Sequence, residues 1–231
     1  TTVTSIVIGD ILMIYYLHTK RKKLTTSIHE TKIGWKLQFE TYAIGIPASV
    51  TNIMATFAVA LTNRYLIVYG ADSVAAMGIA MKANMIINMV MVGFAFGAQP
   101  LIGYVYGAKD EQRFNKVVKF DIQVVASLAL ILTIILFIFA PQVIRIFMND
   151  PQIVKEGALM LRWLSVSTTL AGIILVFTTM FQSMGKATPA FWLSFCRQGL
   201  IFGVVISISA KLFGYTGIIA AQAISDCLTF I

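Results

Sequence analysis

Apolar residues in this chain gather into runs much longer than a strand requires, and short polar breaks separate them. In order, the runs cover about residues 1–17, 39–69, 74–106, 117–140, 157–184 and 189–210, and a last one starts near Tyr215. Roughly 20 apolar residues is the length at which a helix crosses the hydrocarbon core of a bilayer. None of the runs alternates with the period of two that marks a membrane-barrel strand. The pattern predicts an all-α, polytopic membrane helical bundle. The runs at 39–69 and 74–106 exceed the crossing length, so these helices must tilt, bend or extend past the membrane. Pro47 and Pro100 lie within them and predict the bends, because proline removes a backbone donor and crowds the preceding turn.

The breaks supply the punctuation. Gly70-Ala71-Asp72 is a short turn. Asn149-Asp150-Pro151 is a turn followed by a helix start, and Pro189 opens the helix after Gly185-Lys186. Residues 24–38 mix charged and apolar positions and predict an interfacial helix, with Trp35 at the headgroup level beside Lys32 and Lys36.

Composition and charge sharpen this picture. The chain is 58% hydrophobic and only 12% charged, with a mean hydropathy of +0.83; a soluble domain carries about 25% charged residues. The net charge of +8 is not spread evenly. Eleven of the 18 lysines and arginines fall on the side of the first basic cluster: Lys20–Lys23, Lys32, Lys36, Lys109, Arg113, Lys116, Lys119 and Lys186. Five, namely Arg64, Arg145, Lys155, Arg162 and Lys211, fall on the other. That asymmetry places the first basic cluster in the cytoplasm. It also accounts for the positive charge without nucleic acid, since no aromatic-basic surface motif accompanies it. Cys196 and Cys227 sit in separate apolar runs with no C-x-x-C, and read as small buried apolar residues and not as a disulfide or metal pair. The chain opens Thr1-Thr2-Val3 inside an apolar run, and is expected to continue a longer protein.

The stretch Gly93 to Lys109 stands out. Gly93, Gly97, Gly103 and Gly107 form two small-xxx-small pairs, a spacing that lets a neighbouring helix approach closely in lipid. Gln99, beside Pro100, is a polar group that must face protein or water. Ionisable groups inside spans are expensive and therefore functional candidates; Asp10, Lys82, Arg197 and Asp226 qualify. Glu40 and Asp121 lie near membrane boundaries and read as solvated helix ends. Asn84 and Asn88 share a helix face two residues after Lys82, with Met77, Met81, Met85 and Met89 in a parallel row. This face is either a packed interface or a cavity wall. Arg197 either snorkels to cytoplasmic headgroups or serves a site. Asp226, expected near mid-membrane, is placed to take a proton, attract a cation or pair with a buried base such as Lys82. Asn52, Gln182 and the Ser165, Ser167, Thr168 and Thr169 group are weaker candidates, because hydroxyls often bond their own helix.

Enzyme signatures do not occur. His29-Glu30 lacks the second histidine of a zinc-protease helix, and there is no G-x-S-x-G, no phosphate loop and no metal-ligand spacing. Transport, if this chain performs it, would run on an ion gradient with no cofactor.

Several motifs resemble one family. Gly45-Ile46-Pro47, Ala75-Ala76-Met77-Gly78-Ile79 and above all Gly97-Ala98-Gln99-Pro100 through Tyr106-Gly107-Ala108-Lys109 are similar to the multidrug and toxic compound extrusion (MATE) family. Phe181 to Lys186 and Arg197-Gln198-Gly199 resemble its bacterial members. The resemblance implies a C-terminal half: residues 1–19 as the end of transmembrane helix 6, 20–38 as a cytoplasmic linker, and 39–231 as the lobe of helices 7–12. It implies a monomeric inner (plasma) membrane protein, embedded in lipid, whose other six-helix lobe is N-terminal. It implies export of small cationic or amphipathic compounds in exchange for protons or sodium ions, by alternating access. Some members hold the coupling ion on a carboxylate in helix 7, where this chain has Met54, Ala55 and Thr56. Coupling is therefore expected through the absent lobe, with Asp226 helping to bind cationic substrate. The alternatives are a lipid-linked oligosaccharide flippase of the same superfamily, a non-transporting membrane scaffold and an intramembrane enzyme.

Overall fold

The computed structural model describes residues 2–20 and 34–230. Arg21, Lys22 and Lys23 of the basic cluster, together with Lys32 and much of the 20–38 linker, lie outside them. The chain divides into two compact units, Thr1–Thr41 and Tyr42–Ile231. In the first, α1 (Thr2–Lys20) is an apolar helix with Asp10 and the side chains from Ile11 to Tyr16 exposed. The second holds the bundle.

Five long helices build that bundle. They are α2 (Trp35–Leu66, entering from the first unit), α3 (Ala71–Gly107), α4 (Glu111–Phe147), α5 (Pro151–Ser183) and a stretch composed of α6 (Ala187–Phe195), a π-helical segment (Cys196–Ile201) and α7 (Phe202–Phe230). Four stretches have the length and apolarity to cross a membrane: Ala71–Gly107, Glu111–Phe147, Pro151–Ser183 and Thr188–Phe230. α2 is long enough, but Asn52, Thr56, Thr62, Asn63 and Arg64 make it the most polar of the long helices.

Local chemistry fixes the ends. The Asp150 carboxylate accepts from Gln152 N at 2.9 Å and Ile153 N at 3.1 Å, with Pro151 in the first turn of α5. Asp110 caps α4 by accepting from Arg113 N at 3.0 Å. The final stretch reverses at Gly214, whose φ of 55° and ψ of −129° are not helical. Arg197 pairs with Asp226, and a Cβ on Gly217 would lie 2.0 Å from the Ser209 carbonyl oxygen. Both pairs straddle Gly214, so the two arms run antiparallel. The break expected between residues 210 and 215 is this turn.

The core joins the ends of α2 and α4 to the starts of α3 and α5 and to the last hairpin, with smaller clusters further along α3, α4 and α5. Lipid is as apolar as leucine, so close packing holds helices together here, not exclusion of water. α3 accordingly presents Ala76, Ala80, Ala83 and Ala95, all fully buried. The Gly93–Gly107 stretch contributes less to packing within this lobe. Nothing approaches the Cβ positions of Gly93, Gly97 and Gly107, while Gly103 alone meets a neighbour, the Ser183 carbonyl oxygen at 3.3 Å. The alanine face binds this lobe and the glycine face turns away from it. α3 stays helical through Pro100, and α2 is helical across position 47. The missing proline N–H leaves the Phe96 carbonyl without its helical donor.

Candidate functional site

α5 positions the polar interior. Its residues Ser167, Thr168 and Thr169 each reach a different partner helix, because successive positions are about 100° apart around the axis. The Ser167 hydroxyl donates to Asp226 of α7. Thr168 Oγ1 donates to the Leu164 carbonyl at 2.7 Å and also lies 3.0 Å from Asn84 Oδ1 on α3. Thr169 Oγ1 sits 3.2 Å from Thr133 Oγ1 on α4. Hydroxyls in helices often bond their own helix, which makes these weaker candidates in the sequence; three of them bridge helices.

Asp226 is completely buried, and four donors surround it. Arg197 Nε donates to Oδ1 at 2.7 Å and Arg197 Nη2 approaches Oδ2 at 3.4 Å. Gln222 Nε2 donates to Oδ1 at 3.2 Å, and Ser167 reaches Oδ2. Ser225 Oγ donates to the Arg197 carbonyl at 2.9 Å, tying the second arm to the π-helical segment. A buried charge is tolerated when it is paired and its remaining lone pairs are bonded. Of the possibilities open to Asp226, it pairs with a base, and that base is Arg197 and not Lys82. Lys82 is exposed on the opposite side of α3. Arg197 does not simply reach for headgroups, since its side chain is 18% exposed and its inner edge is spent on Asp226.

A cavity of about 400 Å³ opens beside this pair. Its polar wall comes from Asn52 of α2, Gln182 of α5, Ser194 of α6, and Arg197 and Gln198 of the π-helical segment. Val92 and Phe96 of α3 and Ile174 and Leu175 of α5 form its apolar wall. Thr178 and Thr179 also line it, but their hydroxyls donate to carbonyls of their own helix. Among the described residues, no carboxylate belongs to the lining. The Gln198 Oε1 atom is buried without a partner among the described residues. Extra turns of π-helix recur at functional sites because the inserted residue re-aims its neighbours; here the segment brings both Arg197 and Gln198 to the cavity.

The other sequence candidates divide. Asn84 is buried against Thr168, and Asn88 Nδ2 donates to the Asn84 carbonyl at 3.1 Å, one turn before Val92 at the wall. Met77 is core while Met85 and Met89 are exposed, so the methionine row does not act as one surface. Gln99 is half-buried outside the cavity. Asp121 corrects an expectation: it is 4% exposed and not a solvated end, and its Oδ2 has no partner among the described residues. Two features escaped sequence reasoning. One is Gln198. The other is Glu156, which accepts from Ser73 Oγ at 2.7 Å and Tyr215 OH at 2.9 Å, clamping α3, α5 and α7 together.

A polytopic helical bundle with a polar cavity and a buried ion pair defines an integral membrane protein whose interior, not its surface, carries the chemistry. The MatE family model matches residues 47–208, and the chain belongs to this family. The multidrug export protein MepA of Staphylococcus saprophyticus is 27% identical over 227 residues, covering 98% of this chain and 50% of that protein. MepA of Staphylococcus aureus strain MSSA476 gives the same identity and coverage. A multidrug resistance MATE family transporter of the MOP superfamily, solved in an outward-facing conformation, superposes with a TM-score of 0.88 at 20% identity, covering 99% of this chain and 52% of that one. The chain spans about half the length of the curated relatives it matches. The matched family is one of membrane transporters and not of enzymes.

Proposed function

We propose that this chain is the C-terminal six-helix lobe, with the end of the preceding helix and a cytoplasmic linker over residues 20–38, of a secondary multidrug exporter of the inner (plasma) membrane. It works against a second, N-terminal six-helix lobe and alternates between inward- and outward-facing states. It expels small cationic or amphipathic compounds in exchange for protons or sodium ions and uses no other cofactor. The protein acts as a monomer in lipid and does not bind nucleic acid. One observation carries this reading: a polar cavity set among α2, α3, α5 and α6 of an otherwise apolar bundle. Hydrocarbon offers such polar groups no partner, so they are retained where water or substrate reaches them.

Coupling is assigned to the other lobe. In this one the described residues of the cavity wall include no carboxylate, and Asp226 is enclosed by its own donors. Enclosed in this way, Asp226 helps a cationic substrate only indirectly, through Arg197. A lipid-linked oligosaccharide flippase is disfavoured, because a pyrophosphate needs several free cations and the cavity supplies one guanidinium, already paired. The test is ethidium efflux from energised cells expressing the complete transporter, with and without collapse of the proton and sodium gradients. Gradient-dependent efflux is expected; equal ethidium retention in expressing and control cells refutes the proposal.

A further inference from the structure

A proline inside a helix removes the donor that the carbonyl four residues back would receive. In α4 the proline is Pro141, and that carbonyl belongs to Phe137. Arg162 of α5 supplies a substitute. Its Nε donates to the Phe137 carbonyl at 3.2 Å, and its guanidinium carbon lies 5.3 Å from the centre of the Phe137 ring. One of the five N–H donors of the arginine is thereby used. The four on Nη1 and Nη2 have no partner among the described residues, and hydrocarbon offers them none. Arg162 sits about 160° around α5 from Thr178 and from Gln182, which line the cavity, so the guanidinium faces away from it. It shares this outward face with Lys155, Leu159 and Val166, all exposed, at i−7, i−3 and i+4. α4 runs antiparallel alongside: the Thr133 hydroxyl donates to the Ser165 carbonyl at 2.8 Å, and a Cβ on Gly157 would lie 3.2 Å from Ile144 Cγ2. That register sets Arg145 opposite Lys155 at the water end and Ile134 opposite Val166 toward the membrane centre. The groove is therefore cationic at one end and apolar at the other, with Arg162 at the boundary. Of the acidic groups at this end of α5, Asp150 is spent capping the helix and Glu156 accepts from Ser73 and Tyr215.

We propose that this outer groove between α4 and α5 holds an anionic phospholipid of the non-cytoplasmic leaflet, with its phosphate on the free edge of Arg162 and an acyl chain along Ile134, Ile138 and Val166. A guanidinium fork matches phosphate oxygens in bidentate geometry. Arg145 and Lys155, on the water side, add positive charge that favours a net negative headgroup over a zwitterionic one. The Phe137 carbonyl fixes Nε, so the fork is held in position before the lipid arrives. The exposed apolar side chains below the guanidinium commit the site to lipid and not to free phosphate. The inference requires only that α4 and α5 cross a membrane, and it does not depend on what is exported.

The test reads lipid at the groove itself. The complete protein, with Ile138→Cys as its single cysteine and a bimane label on it, is placed in vesicles that mix phosphatidylglycerol with phosphatidylcholine. One lipid or the other carries dibrominated chains, which quench the label on contact. With otherwise wild-type residues, quenching should show phosphatidylglycerol enriched about fivefold over its bulk fraction, the scale of one basic residue meeting an anionic lipid. Arg162→Gln should bring the enrichment close to one. Arg64→Gln, which removes an exposed arginine on the same side of the membrane but on α2, should leave it unchanged. Pro141→Ala returns a backbone donor to Phe137, releases Nε and should lower the enrichment severalfold with every charge kept. No enrichment with Arg162 in place, enrichment that survives Arg162→Gln, or an equal loss in Arg64→Gln overturns the proposal. If Arg162→Gln does not insert, an unchanged enrichment in Pro141→Ala overturns it. Abolition of the enrichment by millimolar inorganic phosphate, at constant ionic strength, would show a free-anion site and would also overturn it.

Discussion

Asp226 needs its charge answered within the lobe, and the residues that answer it are worth unequal amounts. Removing one hydroxyl donor, as in Ser167→Ala, should lower stability by about 1–2 kcal/mol. Arg197→Met should cost about 3–5 kcal/mol, because it strands a buried carboxylate. Thermal unfolding of the purified protein checks both, and equal losses would mean that the guanidinium does no more for Asp226 than a single hydroxyl donor. The same logic reverses at Asp121. Its Oδ2 lacks a partner among the described residues, so Asp121→Leu should be neutral or raise the unfolding midpoint by a few degrees. This residue was legible and was misjudged. Val118, Asp121, Val125 and Ala129 recur at i, i+3, i+7 and i+11 and form one buried stripe, whereas distance from the end of the run suggested exposure. Lys82 and Asn84 were misgrouped for a related reason: two residues apart on a helix is about 200°, so one turns inward and the other outward. Choosing Arg197 over Lys82 as the partner of Asp226 required the hairpin, and no local pattern encodes that pairing.

Helix packing turns on single small residues. A Cβ on Gly172 of α5 would lie 2.6 Å from Met91 Sδ on α3 and 3.1 Å from Val125 Cγ1 on α4. Three helices meet closely here. Gly172→Val should destabilise by about 1–3 kcal/mol through overpacking, read as reduced monodisperse yield and a lower unfolding midpoint; an unchanged midpoint would show that the junction is looser than described. The helices themselves were legible, because long apolar runs and Asp-Pro or Gly breaks set their ends. Their contact faces were not. α3 carries small residues on two faces, and composition does not say which one meets its own lobe. The π-helical segment was also invisible, since it differs from α-helix only by a one-residue shift of hydrogen bonding.

Across the lobe, the polar groups occupy two places with different duties, and this separation makes the transporter reading testable without knowing the substrate. Glu156 stands near the start of α5 and Gln182 near its end, about 40 Å apart at 1.5 Å per residue. Glu156 joins three helices through Ser73, Tyr215 and Gln152, and does not line the cavity. Glu156→Leu should therefore lower stability by about 1–3 kcal/mol and depress export of all compounds in proportion to the protein remaining folded. Asn52 and Gln182 line the cavity from α2 and α5. Asn52→Leu and Gln182→Leu remove wall polarity. They should change the rank order of exported compounds by severalfold, and for Gln182→Leu the unfolding midpoint should stay near wild type. Dye and drug efflux normalised to membrane-inserted protein measures both effects. If Glu156→Leu reorders substrates while the two cavity variants only reduce yield, chemistry and scaffold have been assigned to the wrong ends of the bundle.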